Sequence, residues 1–262
     1  MMITQKSKPH TFVIPIFKDN KTYLYYTNRT VGQPPLVVKL VVELGGSALF
    51  FQCDRISYNS TTYTHVLYVF EDSGWSDLPN GANSILGLAD SSMSFVKSLE
   101  SSYKIPFKVA LCLPSKPKNN SGSVYIGSRP YLLPPDHRDT SIYRALVKAF
   151  VGKAQRKAVY PFRDCFSYKS FGGKSLLGKK TPVISFVLGG GAKWDIYGTN
   201  SLVMVNKTIM CLAFVDARND PRFPIEMGGY QMEDHLVEFD FEASTFSFTS
   251  SLLRHNASCS RM

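Results

Sequence analysis

The stretch Val41-Val42-Glu43-Leu44-Gly45-Gly46-Ser47-Ala48-Leu49-Phe50-Phe51-Gln52-Cys53-Asp54 decides how the chain is read. An apolar run over 36–42 delivers one carboxylate, Glu43, to a Gly-Gly turn, and a second apolar run follows at once. Short apolar runs bounded by turn signals read as buried strands, and paired glycines mark a tight reversal. A carboxylate at such a turn is held by backbone on both sides, and fixed geometry is what acid–base chemistry requires. Glu43 is therefore the candidate catalytic residue. Its neighbour Leu44 has no polar atom in its side chain with which to orient a carboxylate.

Working outward, short β-like runs dominate: 11–17, 22–26, 36–44, 48–52, 64–70, 107–113 and 123–126 in the first half. The second half adds 183–188, 194–197, 202–205, 208–214, 236–241 and 245–250. Polar or Gly/Pro-rich connections separate them, which predicts an all-β protein of barrel or sandwich sheets. A short helix is expected over 93–101. A longer one is expected over 140–156, where Ile142, Ala145, Leu146, Ala149 and Phe150 recur at helical spacing behind an Asp139 or Thr140 N-cap. Pro130, Pro134 and Pro135 fall in 129–138, a candidate linker that divides the chain into domains over 1–130 and 131–262. Gly189-Gly190-Gly191 lacks the Lys-Ser/Thr of a phosphate loop and reads as a hairpin turn.

Composition excludes several classes. Of 262 residues, 44% are hydrophobic and 19% charged, which is a globular balance. No apolar run reaches the roughly 18 residues of a membrane span. The net charge is +10, but the cations read as scattered, with Lys153/Arg156/Lys157 and Lys174/Lys179/Lys180 the densest sets. Neither set is striped with aromatics for base stacking, so nucleic acid is not the expected partner, whereas an acidic polysaccharide suits the charge.

The five cysteines and five histidines are dispersed, so no metal or cofactor is expected. Six N-x-Ser/Thr sequons begin at Asn20, Asn28, Asn59, Asn119, Asn206 and Asn256. Chance gives roughly two or three, so the excess favours a glycosylated, secreted protein. Residues 1–10 are polar and contain no apolar core of a signal peptide.

Several blocks then carry a resemblance. The block Lys8-Pro9-His10 through Asp19, the run 36–46, Ser84-Ile85-Leu86-Gly87-Leu88-Ala89 and Lys108–Leu113 occur in the first half. Thr140–Phe150, Phe162–Phe166, Ile209–Phe214 and Gly228–Asp240 follow in the second. In order, they resemble the plant pepsin-like group that contains basic 7S globulins, extracellular dermal glycoproteins and TAXI-type xylanase inhibitors. The resemblance implies a bilobal, pepsin-like β fold, with Cys165 paired to Cys211. It also implies a bond from Cys112 to Cys259 across the two lobes, leaving Cys53 without its family partner. It identifies the Glu43 turn as the family's Asp-Leu-Gly-Gly turn with Glu in place of Asp. Between 51 and 81, and between 135 and 139, this chain is shorter than the pattern, so both lobes read as truncated. The flap and the second catalytic turn fall in those gaps.

An aspartic protease needs two carboxylates sharing a proton. Asp139 is the tempting second acid, but it opens a helix and reads as an N-cap. Asp216 and Asp240 read as solvated turn or strand-face residues, and Tyr143 and His235 as packing or surface. Ser47, Ser84 and Ser141 lack the Gly-x-Ser-x-Gly context of a serine hydrolase. The expected function is thus an inactive protease-like binding protein, with an aspartic endopeptidase as the alternative. By resemblance, the loop carrying Arg218, Arg222 and Phe223 stands where xylanase-inhibiting members enter an enzyme cleft. A glycoside hydrolase or a cell-wall polysaccharide is the expected partner.

Overall fold

The apolar run over 36–42 becomes β3 (Leu36–Glu43), whose buried Val38 and Leu40 alternate with outward-facing Val37 and Lys39. The period of two follows from the pleat, which sends successive side chains to opposite faces. In the computed structural model, residues 11–31, 35–52, 66–69, 78–116, 121–127, 142–172, 176–177, 181–215, 225 and 227–261 are described. The chain divides into two units. Unit 1 comprises Met1–Leu132, Asp234–Ser247 and Ser258–Met262; unit 2 comprises Leu133–Glu233 and Phe248–Ala257.

Unit 1 is built on a ten-stranded sheet. Before β3 come β1 (Phe12–Lys18) and β2 (Tyr25–Val31), and after it β4 (Leu49–Gln52), β5 (Val66–Val69) and β6 (Ala82–Gly87). Then follow helix α1 (Phe95–Tyr103), β7 (Lys108–Cys112) and β8 (Gly122–Ile126). Two strands from late in the sequence, β15 (Leu236–Asp240) and β16 (Thr245–Phe248), complete the order β16-β15-β7-β8-β1-β2-β3-β6-β4-β5. With neighbours on both sides, β7 buries all five of its residues. The helix expected over 93–101 forms two residues later. Ser94 is its N-cap, accepting a hydrogen bond from Lys97 N at 3.1 Å.

Unit 2 holds helix α2 (Ile142–Lys148) and strands β9 (Gln155–Arg156), β10 (Cys165–Ser167), β11 (Ile184–Val187), β12 (Lys193–Ile196), β13 (Leu202–Met204) and β14 (Ile209–Leu212). They form a sheet ordered β13-β14-β10-β9 and a β11-β12 hairpin. Residues Gly189–Gly191 turn that hairpin, as expected from three glycines in a row. Elsewhere in unit 2, Phe150, Phe166 and Phe171 form an aromatic cluster, with centroids 5.3 to 6.3 Å apart. Each buried ring contributes about 1.5–3 kcal/mol relative to exposure.

Two expectations need correcting. The helix over 140–156 ends at Lys148. Beyond it the chain tightens into successive three-residue bonds, Ala149 N to Leu146 O (3.1 Å) and Phe150 N to Val147 O (3.0 Å), then reaches Gly152 at φ 86°. Residues 155–156 are claimed by the sheet, so tertiary pairing overrides the helical period. The strand expected from 22 starts at Tyr25, because Asp19 Oδ2 accepts from Lys21 N and Thr22 N and holds 19–24 in a turn. The 129–138 linker, the Asp139 and Thr140 N-cap, Ser141 and Cys53 lie outside the described residues.

Candidate functional site

The Glu43 turn is built by three strands. β6 pairs parallel with β3, setting Glu43 opposite Gly87, and antiparallel with β4, setting Leu49 opposite Leu86. β6 thus lies between the strands that the turn connects, and residues 44–48 must pass across its end. Four backbone bonds fix the crossing. Leu88 N donates to Glu43 O at 3.0 Å and Gly46 N to the same oxygen at 3.4 Å. Gly87 N donates to Ala48 O, and Ala89 N to Gly46 O, each at 3.1 Å.

Glycine at 87 is a requirement of this crossing. A Cβ there would collide with the carbonyl oxygens of Gly46 and Ala48. A Cβ on Gly46 would stand 2.8 Å from Glu43 Oε2 and 3.0 Å from Gly87 Cα. The two glycines therefore let the turn lie on the strand. Gly87 was visible in the sequence only within the 84–89 block, where nothing in the letters revealed its contact with residues 46–48.

Glu43 is exposed at the end of β3, and Leu44 follows it half-buried. Among the described residues, the nominated acid Asp240 does not join it. Asp139 and Asp216 lie outside the described residues. Asp240, expected to be solvated, is instead buried, and its Oδ2 lies 2.5 Å from Lys108 Nζ. β15 is an inner strand between β7 and β16, which removes Asp240 from water and supplies its cation at the same time. Burial pushes the Asp240 carboxyl up, but the Lys108 hydrogen bond, the Ala243 N–H and the Lys108 charge together hold it below the usual range.

The other nominated residues have structural places. His235 is fully buried. The Tyr143 hydroxyl donates to Asp164 Oδ2 at 2.5 Å. Ser84 is buried, with its hydroxyl 3.2 Å from Asn83 Oδ1, and Ser47 is exposed in the turn. Arg218, Arg222 and Phe223 lie outside the described residues, as do Asn59 and Asn119. Asn20, Asn28, Asn206 and Asn256 are all exposed. No group of three or more His, Cys, Asp or Glu among the described residues could hold a metal ion.

Both expected disulfides are present. Cys165 and Cys211 face each other across β10 and β14, and Cys112 joins Cys259 over a separation of 147 residues. The second bond differs from the expected link across lobes. Residues 258–262 return to unit 1, so both its sulfurs belong to that unit. Asp234 Oδ1 accepts from Cys259 N at 2.9 Å and helps to seat the returning end.

A family profile described as xylanase inhibitor C-terminal matches residues 118–250, and its partner, xylanase inhibitor N-terminal, matches 71–128. The chain belongs to this family. Among relatives of this xylanase inhibitor family, gamma conglutin 1 of Prunus dulcis is 28% identical over 260 residues, covering 76% of this chain. The probable aspartic proteinase GIP2 of Nicotiana benthamiana is 39% identical over 126 residues, covering 46% of the chain. The chain spans 60% and 28% of those two proteins, respectively. The crystal structure of edgp superposes with a TM-score of 0.82 at 20% identity, covering 98% of each chain. That likeness establishes the pepsin-like fold and nothing beyond it.

Proposed function

We propose that this chain is a catalytically silent, pepsin-like binding protein of plant defence or storage type, acting outside the cell on a microbial glycoside hydrolase. The observation that carries the reading is the turn at Glu43. The backbone crossing over Gly87 is kept, while the acid is longer by a methylene and its neighbour Leu44 has no hydroxyl to orient it. A proton-sharing dyad depends on sub-ångström placement of two carboxylates, and an added methylene moves the acid off that position. The names of the matching family profiles support an inhibitory role, and the two disulfides suit an oxidising compartment. Arg218, Arg222 and Phe223 are the residues we assign to the inhibitory contact, where two cations would meet the carboxylates of a hydrolase cleft.

The second reading is an aspartic endopeptidase, favoured by the Nicotiana relative, which is named a probable aspartic proteinase. One experiment separates the two. The purified chain is incubated with a denatured protein substrate at acidic pH, with and without pepstatin, and separately titrated against microbial xylanases and glucanases. The expected result is no pepstatin-sensitive cleavage and loss of hydrolase activity, with the Arg218→Gln/Arg222→Gln variant relieving the inhibition. Pepstatin-sensitive cleavage abolished by Glu43→Gln would establish the endopeptidase instead.

A further inference from the structure

The surplus positive charge is confined to one part of the chain. Between residues 140 and 194 there are eleven Lys or Arg and one acid, Asp164, whereas the remainder holds nineteen of each sign. The whole net charge of +10 therefore resides in a stretch of unit 2. Whole-chain composition conceals this, and the cations that read as scattered are in fact segregated. Such a concentration creates a local field that draws polyanions.

Among the described residues of that stretch, one exposed feature is a hairpin. β9 and β10 pair with Gln155 opposite Phe166 and Arg156 opposite Cys165, and the same register continues to a bridge between Val159 and Phe162. Val159 N donates to Phe162 O at 3.1 Å and Phe162 N to Val159 O at 2.7 Å. Tyr160 and Pro161 form the two-residue tip, which the proline ring stiffens. The base is anchored by the Cys165–Cys211 disulfide and by Phe166, packed on Phe150 and Phe171. A tip so mounted is in place before a ligand arrives, and binding orders little that was free.

Tyr160 is 97% exposed. Arg156 and Lys157 on the outgoing arm and Arg163 on the return arm are exposed as well. Asp164, the sole acid of the two arms, is half-buried and accepts the Tyr143 hydroxyl, so no carboxylate of the arms 155–166 is exposed. An aromatic face with an apolar body and a polar edge suits the C–H face of a pyranose ring, and cations beside it suit carboxylates. An acidic polysaccharide offers both together. Nucleic acid also offers anions and flat rings, but two disulfides are the mark of an oxidising compartment, where nucleic acid is not the resident polyanion.

We propose that this hairpin is a binding site for a polyuronate, with its carboxylates against Arg156, Lys157 and Arg163 and one sugar ring against Tyr160. The site is separate in sequence from the 216–224 loop and stands whether or not the chain inhibits a hydrolase.

The test uses the full, disulfide-intact chain on a biosensor bearing polygalacturonate, with its fully methyl-esterified form, neutral xylan and double-stranded DNA in parallel. All the substituted side chains are exposed, so folding is not at stake. Arg156→Gln/Lys157→Gln/Arg163→Gln should weaken polygalacturonate binding roughly tenfold or more at about 50 mM salt. Tyr160→Ala should weaken it roughly threefold or more, a loss that persists at about 300 mM salt because ring contact is not screened. The esterified polymer and xylan should bind at least roughly tenfold more weakly than polygalacturonate. Unchanged binding by either variant, or equal binding of the esterified polymer, overturns the proposal. Tighter binding of DNA than of polygalacturonate, with the same loss in Tyr160→Ala, overturns it in favour of a nucleic-acid surface.

Discussion

Lys108 Nζ and Asp240 Oδ2 lie 2.5 Å apart on adjacent strands, with side chains only 8% and 4% exposed. Each charge is tolerated out of water only because the other is there, and removing one strands its partner. Asp240→Asn should therefore lower the unfolding free energy by about 3–5 kcal/mol at neutral pH. Replacing both, Lys108→Met with Asp240→Leu, should recover much of that loss, since a packed apolar pair carries no desolvation cost. Denaturant melts of the three proteins check both statements.

The same pair sets a pH dependence. The Asp240 carboxyl is held below its ordinary value in the fold, so its contribution is complete above the unfolded-state value and declines as pH falls through the folded one. Melting midpoints of the native chain should hold from neutrality to about pH 4 and then drop. Asp240→Asn should shed less stability over the acid limb. An equal slope in both proteins would remove Asp240 from the acid response.

Gly87 and Gly45 make a matched contrast within one turn. Gly87→Ala drives a methyl into the carbonyls of Gly46 and Ala48, whereas a Cβ on Gly45 meets nothing within 4 Å. The first should cost about 1–3 kcal/mol and the second stay within about 0.5 kcal/mol. Chemical denaturation of the two variants reads the difference directly.

Breaking the Cys112–Cys259 bond frees a loop of 147 residues in sequence separation. Chain entropy sets the loss at up to about 5 kcal/mol. Cys112→Ala/Cys259→Ala should melt well below the native chain in oxidising buffer. The gap between them should narrow when both are reduced, because reduction removes the same constraint from the native chain.

Asn20, Asn28, Asn206 and Asn256 stand exposed within their sequons. Expression in a plant secretory host should modify them, and peptide mass spectrometry after enzymatic deglycosylation reads each site. Asn206 Oδ1 accepts from Thr208 N, Thr208 Oγ1 and Ile209 N at 2.9 to 3.0 Å. Asn206→Gln should remove a glycan and also loosen the turn between β13 and β14.

Much of the fold was legible because it is written in local patterns. The alternation in β3 and the Gly-rich β11–β12 turn follow from local pattern, and the two disulfide pairs from family resemblance alone. What the letters concealed depends on pairing distant in sequence. Gln155 and Arg156 carry a helical period, but β10 claims them as a strand. Asp240 alternates like a solvated residue, but β7 and β16 flank its strand, and Lys108 arrives from 132 positions earlier. At the candidate site, Glu43 and its glycines were visible in one stretch. Gly87, on which their turn rests, was separated from them by about forty residues of chain that must first fold back.

The borrowed strands β15 and β16 also govern when unit 1 can exist. A ribosome delivers β7 long before residue 236 emerges, so the nascent chain holds β7 with one edge unpaired throughout synthesis of everything between them. Unit 2 is continuous over Leu133–Glu233 and waits only for the short segment Phe248–Ala257. Assembly is then ordered against the direction of translation: the half that is made first is finished last, and a chain arrested before β15 leaves a sheet open to any strand that will fill it.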